Sequence, residues 1–182
     1  VLVRDIPAVI KKHYTAPASV MSIPDYAARN YTLMRLALQH RDVTLWATAN
    51  PSTILELLRT LDEYKEEMIK DIELGTICDD FDIPFEIRDE LDAYICPRPK
   101  RAKELRRILE EKGKLEPKDF WPWLQYLSTW KCGNTKIYMD KYMDQFNWDK
   151  TMYQELGYIA TECRFGFSLD DTNESVLFPQ FH

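Results

Sequence analysis

Tyr158-Ile159-Ala160-Thr161-Glu162-Cys163-Arg164-Phe165-Gly166 sets an aromatic ring, a hydroxyl and a carboxylate at i, i+3 and i+4, directly after the apolar run Leu156 to Ala160. In an α/β fold a buried strand delivers its chain to the carboxyl edge of the sheet, and ligands collect there. In that setting Tyr158 could stack on a nucleobase, Thr161 could donate to a phosphate oxygen, and Glu162 could hold a hard cation such as magnesium. The same Thr-Glu pair also suits a structural role, as the cap of the helix or turn that follows a strand. The residues by themselves leave both readings open.

Other chemistries find less support. His13, His40 and His182 fall at or near helix ends or the chain end, and there is no G-x-S-x-G, so a hydrolase triad is not indicated. Gly75, Gly113, Gly133, Gly157 and Gly166 are never spaced as G-x-G-x-x-G or G-x-x-x-x-G-K, so the sequence contains no phosphate cradle of either kind. Cys78, Cys96, Cys132 and Cys163 form no C-x-x-C and have no matching histidine pair. They read as reduced thiols rather than zinc ligands, which fits a cytoplasmic protein. Asp79, Asp80 and Asp82 lack the ligand spacing and turn glycine of an EF-hand loop and read as a solvated loop. A net charge of -6 argues against a nucleic-acid partner bound through its phosphates. The basic cluster Arg98, Lys100, Arg101, Lys103, Arg106 and Arg107 reads as a solvated helix face. No apolar run is long enough to span a membrane and no signal-peptide pattern opens the chain, so no membrane partner is expected.

The elements that must position these residues alternate in type. Ile6 to Tyr14 is spaced like the end of a helix, broken by Pro17, and Ser19 to Ile23 reads as extended. A helix is expected over Pro24 to His40 and a strand over Val43 to Ala49. Asn50 can cap the helix that Pro51 opens, which fades near Gly75. Short helical signals follow at Phe85 to Leu91, and a longer, strongly charged helix is expected over Pro99 to Lys112, closed by Gly113. Tyr126 to Lys131 reads as a strand, Thr135 to Phe146 as a helix, Glu155 to Ile159 as a strand, and Ser175 to Phe178 as another. Strands separated by helices long enough to be crossovers predict an α/β fold, with a mostly parallel sheet and helices on both faces. The segment of about 85–113 would be a helical insert. At 182 residues, 45% of them hydrophobic, the chain can form one domain with a substantial core.

Upstream of the Tyr158 motif stands Phe120-Trp121-Pro122-Trp123-Leu124-Gln125-Tyr126-Leu127, then a strand-like segment ending at Cys132-Gly133-Asn134, then a Tyr-rich helix. The order W-P-x-x-x-Y-L, strand, Gly, amphipathic helix, strand, Y-x-x-T-E-C-x-F-G resembles the Gretchen Hagen acyl-acid amido synthetases. These form the auxin-responsive, auxin-conjugating branch of the adenylate-forming superfamily. The likeness is tightest over Phe120 to Phe167 and extends from about Val20, and Leu177 to His182 looks like the run before the family's next strand.

The resemblance implies that residues 1–182 are a central α/β subdomain of a longer enzyme's large domain. Its phosphate loop would precede this region, and its ribose-binding aspartate and mobile C-terminal domain would follow. A first residue Val1 inside an apolar-periodic segment agrees with a fragment. By similarity Tyr158 would stack on adenine, Thr161 would contact the α-phosphate, Glu162 would hold magnesium, and Gly133 would lie on the loop beside the acyl substrate. Thr161 stands where plant members usually have Ser, and Ile159 is bulkier than their usual Ala or Gly. The implied reaction is a ligase reaction with ATP and Mg: a small carboxylic acid and ATP give an acyl adenylate and pyrophosphate, and an amine or amino acid then displaces AMP. The isolated chain is expected to be inactive, since the rest of the parent chain supplies the remaining contacts. Two alternatives stand beside this one, a non-catalytic α/β interaction domain and a fragment of an acyl-CoA type ligase.

Overall fold

The computed structural model describes residues 8–131, 135–157, 166–167 and 176–177. In chain order the elements are α1 (Ala8–Lys11), a 3-10 turn (Ala18–Ser22), α2 (Tyr26–Leu38), β1 (Leu45–Ala47), α3 (Pro51–Glu63), α4 (Lys65–Leu74), α5 (Phe85–Leu91) and α6 (Pro99–Lys112). They continue with α7 (Pro117–Phe120), β2 (Tyr126–Thr129), α8 (Lys136–Met139), a second 3-10 turn (Met143–Gln145), β3 (Met152–Glu155), β4 (Gly166–Phe167) and β5 (Val176–Leu177). The fold is α/β, and its three-stranded sheet is parallel throughout, in the order β1-β2-β3. β4 and β5 pair antiparallel as a separate ribbon.

Two compact units divide the chain: residues 1–41 with 57–115, and residues 42–56 with 116–182. The first is helical. Asp25 caps α2, its Oδ1 accepting the Ala28 N–H at 2.6 Å, which satisfies one of the donors a helix start leaves open. α4 packs on α6, and Tyr31, Leu36, Met68, Ile72 and Leu105 are fully buried between the helices of this unit. Among them sits the guanidinium of Arg35, also fully buried. Its Nε donates to the Thr76 carbonyl at 2.9 Å, Nη1 to Gln39 Oε1 at 2.8 Å and Nη2 to the Asp71 carbonyl at 3.0 Å. Burial lowers the Arg35 pKa to about 10, so the side chain stays charged at neutral pH and must keep these acceptors. α4 ends at Gly75, whose φ of 72° and N–H bond to the Asp71 carbonyl close the helix. A Cβ at Gly75 would stand 2.5 Å from the Pro97 nitrogen, so the chain crossing there requires glycine.

The second unit carries the sheet. Its register sets Trp46, Leu127 and Tyr153 in one row, and Leu45, Tyr126 and Met152 in the neighbouring row on the opposite face. The first row meets an aromatic cluster: Trp46 lies edge-on to Trp121 at 5.4 Å, and Tyr153 lies 5.5 Å from the Trp148 ring. The hydroxyls of Tyr142 and Tyr153 share a hydrogen bond of 3.2 Å, and burial pushes both phenols up, so both stay neutral. Aromatic pairs of this kind contribute about 0.5–1.5 kcal/mol beyond the area they bury. On the other face Leu45, Tyr126 and Met152 are exposed.

Four local expectations are corrected. Ser19 to Ile23 is not extended; residues 18–22 form a 3-10 turn held by the Ile23 N–H bond to the Val20 carbonyl. The helix expected over Thr135 to Phe146 is two short pieces, because Tyr142 leaves helical geometry (φ -135°) while its ring turns into the core. The strand expected at Glu155 to Ile159 lies earlier, at Met152–Glu155, where alternation rather than a continuous apolar run sets the pairing. The helix opened by Pro51 breaks at Tyr64 and resumes as α4.

Candidate functional site

Because β1, β2 and β3 run parallel, their carboxyl ends gather at one edge of the sheet. There the Ala49 carbonyl accepts both the Trp130 N–H at 3.1 Å and the Thr129 hydroxyl at 3.0 Å. The Leu156 N–H reaches the Thr129 carbonyl at 3.2 Å, the last rung between β2 and β3. Beyond it Glu155 takes over. Its side chain is 4% exposed, its Oε2 accepts the Lys131 N–H at 2.5 Å, and its Oε1 accepts the Gly157 N–H at 3.0 Å. The Trp130 indole N–H donates to the Gly157 carbonyl at 3.1 Å, and Lys131 Nζ donates to the Tyr153 carbonyl at 2.9 Å. Gly157 turns the chain at φ 82°, a conformation that favours glycine.

This rim defines what its groups can do. A buried carboxylate whose two oxygens are each held by a backbone N–H is oriented toward the strand ends and closed off from solvent, which suits a structural role better than that of a general base or metal ligand. Glu155, Lys131 and Trp130 therefore build the edge rather than react at it. Sequence inspection did not single out Glu155. The signal was the alternation Met152-Tyr153-Gln154-Glu155, which puts Glu155 on the same face as Tyr153.

The residues expected to carry chemistry lie next along the chain. Tyr158, Thr161 and Glu162 begin directly after Gly157, and Gly133 follows Lys131 by two positions; all four are outside the described residues.

Elsewhere the described residues hold no group of three or more His, Cys, Asp or Glu side chains able to take a metal ion. Asp79, Asp80 and Asp82 are exposed, as a solvated loop requires. No helix among the described residues is long and apolar enough to cross a membrane. An open cleft of about 670 Å³ runs along α6, lined by Arg41, Lys100, Lys103, Glu104, Arg106 and Arg107 among others. Its charges are largely tied up locally: Glu104 accepts from Arg41 and Arg101, and Arg106 pairs with Glu73. Arg101 departs from the solvated face expected of this cluster. It is 6% exposed and its Nε donates to the Leu38 carbonyl at 3.0 Å.

Comparison with known proteins places the chain. Solved structures of similar fold include a GH3.15 acyl acid amido synthetase, at 18% identity with a TM-score of 0.69, over 84% of this chain and 28% of that one. Another is AtGH3.15 acyl acid amido synthetase in complex with 2,4-DB, at 19% identity with a TM-score of 0.65, over 79% of this chain and 25% of that one. The chain thus spans little more than a quarter of the length of these relatives. Among curated proteins none matches. The GH3 family N-terminal domain matches residues 2–151, most of the sequence, and the chain belongs to that family.

Proposed function

We propose that the chain is part of an ATP-dependent acyl-acid amido synthetase, which activates a small carboxylic acid as an acyl adenylate and conjugates it to an amine or amino acid. The observation that carries the reading is the family match over residues 2–151, joined to a parallel sheet whose strand β3 ends at Glu155, three residues before Tyr158. The 2,4-DB bound to one relative of similar fold supports a small carboxylic acid as the substrate class.

In this reading Tyr158 stacks on adenine, Thr161 donates to an α-phosphate oxygen, and Gly133 lies on the loop beside the acyl group. Glu162 is the metal-holding carboxylate. The donor chemistry fits: magnesium prefers hard carboxylate oxygen, and the other nearby carboxylate, Glu155, has both oxygens engaged by backbone donors. When bound, magnesium neutralises charge that builds on the phosphate as the acid's oxygen attacks. The chain's own contribution is to hold the base, the phosphate and the metal in one geometry. Residues 1–182 would then be the central α/β part of the large domain, with a helical insert at about 85–113. The sequence has neither the G-x-G-x-x-G nor the G-x-x-x-x-G-K spacing of a phosphate cradle, so that grip would come from the rest of the parent. A cytoplasmic location agrees with this chemistry.

One observation favours the alternative of a non-catalytic interaction domain: Leu45, Tyr126 and Met152 form an exposed apolar row, with Trp123 58% exposed as well. Acid-dependent ATP–pyrophosphate exchange by the parent protein separates the two. Exchange followed by amide formation with an amino acid is the expected result, thioester formation with coenzyme A instead would point to the acyl-CoA type of ligase, and no exchange with any carboxylic acid would leave the interaction domain.

A further inference from the structure

β2 and β3 stop pairing after Thr129 and Glu155, and at that point the Glu155 side chain collects the backbone donors left where the strands part. Its two oxygens are divided between the two strands, Oε2 to the Lys131 N–H and Oε1 to the Gly157 N–H. Lys131 returns the tie through Nζ to the Tyr153 carbonyl, and Trp130 through its indole N–H to the Gly157 carbonyl. Three hydrogen bonds thus join the exit of β2 to the exit of β3, and a fourth, from Gly157 to Glu155, holds the carboxylate in place. A carboxylate is the side chain suited to this place. Two donors converge on it, and an amide would turn its own NH2 toward one of them.

We infer that Glu155 is a positioning residue: its carboxylate fixes the exits of β2 and β3 relative to each other, and so sets where the chain departs toward Gly133 and toward Tyr158. The inference rests on the functional reading above and assigns Glu155 no contact with substrate. Displacing reacting groups by about 1 Å can cost 10²-fold in rate, so a tie where two strands end matters out of proportion to its own strength.

The test uses the parent protein and the Glu155→Gln variant, with Glu155→Asp as a second variant that keeps both oxygens on a shorter arm. Hydrogen–deuterium exchange of peptides spanning Lys131 and Gly157 reads the tie, and acid-dependent pyrophosphate exchange reads positioning. Amide exchange should quicken about tenfold in at least one of the two peptides, the one whose N–H then faces the NH2, as losing a charge-assisted hydrogen bond implies. The KM for Mg-ATP should rise while kcat falls roughly 10- to 100-fold. A purely structural residue would lower the amount of active enzyme and leave KM unchanged. Should Glu155→Gln not fold, Glu155→Asp decides by the same readouts. Wild-type KM and kcat in a variant with fast-exchanging peptides overturns the positioning role, and unchanged amide exchange overturns the tie itself. A wild-type parent with no pyrophosphate exchange overturns the functional reading and the positioning role with it, and the amide data tell that failure apart from loss of the tie.

Discussion

The Tyr31 hydroxyl donates to Asp71 Oδ2 at 2.6 Å, joining α2 to α4 across 40 positions of sequence inside the helical unit. Asp71 also accepts the Cys78 N–H at 2.7 Å and the Thr76 hydroxyl at 2.7 Å. Burial, then this hydrogen bond, push the Tyr31 phenol far up, so it remains a neutral donor over the whole accessible pH range. Tyr31→Phe removes one donor of three and is expected to cost about 1–3 kcal/mol. Asp71→Ala strips all three and should cost roughly 3 kcal/mol or more. Urea unfolding of the two variants checks the ranking. Equal losses would mean that the phenol alone carries the interaction.

Glu104 gives the helical unit a pH dependence. Burial pushes its carboxyl up, but the Arg101 hydrogen bond and charge, with Arg41, outweigh this and hold it below the usual carboxylate range. A carboxylate lowered in the folded state stabilises above its unfolded pKa of about 4.3, and that stabilisation is lost as pH falls through the lower folded value. Glu104→Gln should therefore melt below wild type at pH 7, by an amount equivalent to about 0.5–1 kcal/mol for a partly exposed pair. The gap should narrow as pH falls below about 4. Melts at pH 7, 5, 4 and 3 follow it, and a gap that widens in acid would refute the assignment.

The 182-residue chain alone should bind Mg-ATP too weakly to measure at micromolar concentration. One stacking ring contributes about 1–3 kcal/mol, against the roughly 8 kcal/mol of a micromolar site. Isothermal titration calorimetry is expected to show no saturable heat. A micromolar Kd would reveal a nucleotide site not described above.

In the parent, Glu162→Gln keeps side-chain size and removes the charge that would hold magnesium. Its melting temperature is expected to change little, since such changes at solvated positions stay within about 0.5 kcal/mol. Acid-dependent pyrophosphate exchange should fall about 10²–10³-fold, as for the loss of one electrostatic stabiliser of a transition state. A variant several degrees less stable yet exchanging at the wild-type rate would make Glu162 a cap.

Much of this architecture is legible in the sequence where one local signal dominates. Phe85–Leu91 and Pro99–Lys112 fold as helices over the residues their apolar spacing marks, with Gly113 closing the second. Asn50 caps the Pro51 helix as its position suggests, its Oδ1 accepting the Ser52 N–H at 3.0 Å. β1 and β2 fall inside the apolar segments expected of them and pair in parallel. The reading slips where tertiary packing decides. Glu155 to Ile159 reads as the strand because most of it is apolar, yet β3 is Met152–Glu155, in which Glu155 is held by a local hydrogen-bond network. Glu155 was invisible for the same reason, since a lone acidic residue gives no sign that two backbone amides will surround it. Arg101 looked like its exposed neighbours on α6, and only the Leu38 carbonyl explains its burial. The resemblance behind Tyr158, Thr161 and Glu162 came from a motif, and those residues lie outside the described structure.

The pairing of β1 with β2 has a consequence for how the chain folds. Ala47 and Tyr126 belong to adjacent strands, yet the helical unit's residues 57–115 lie between them in sequence. Closing a flexible excursion of roughly 80 residues carries an entropy cost that grows as the logarithm of its length, and contacts of such separation form slowly. The helices of that excursion rest on closer contacts, so they should form first and shorten the effective loop before the sheet zips. Weakening the Tyr31–Asp71 bond ought then to slow the appearance of the sheet, although both residues belong to the helical unit. In stopped-flow refolding, Tyr31→Phe should delay the near-ultraviolet signal of the Trp46–Trp121 pair. A refolding rate equal to wild type would show that the sheet assembles independently of the helices that interrupt it.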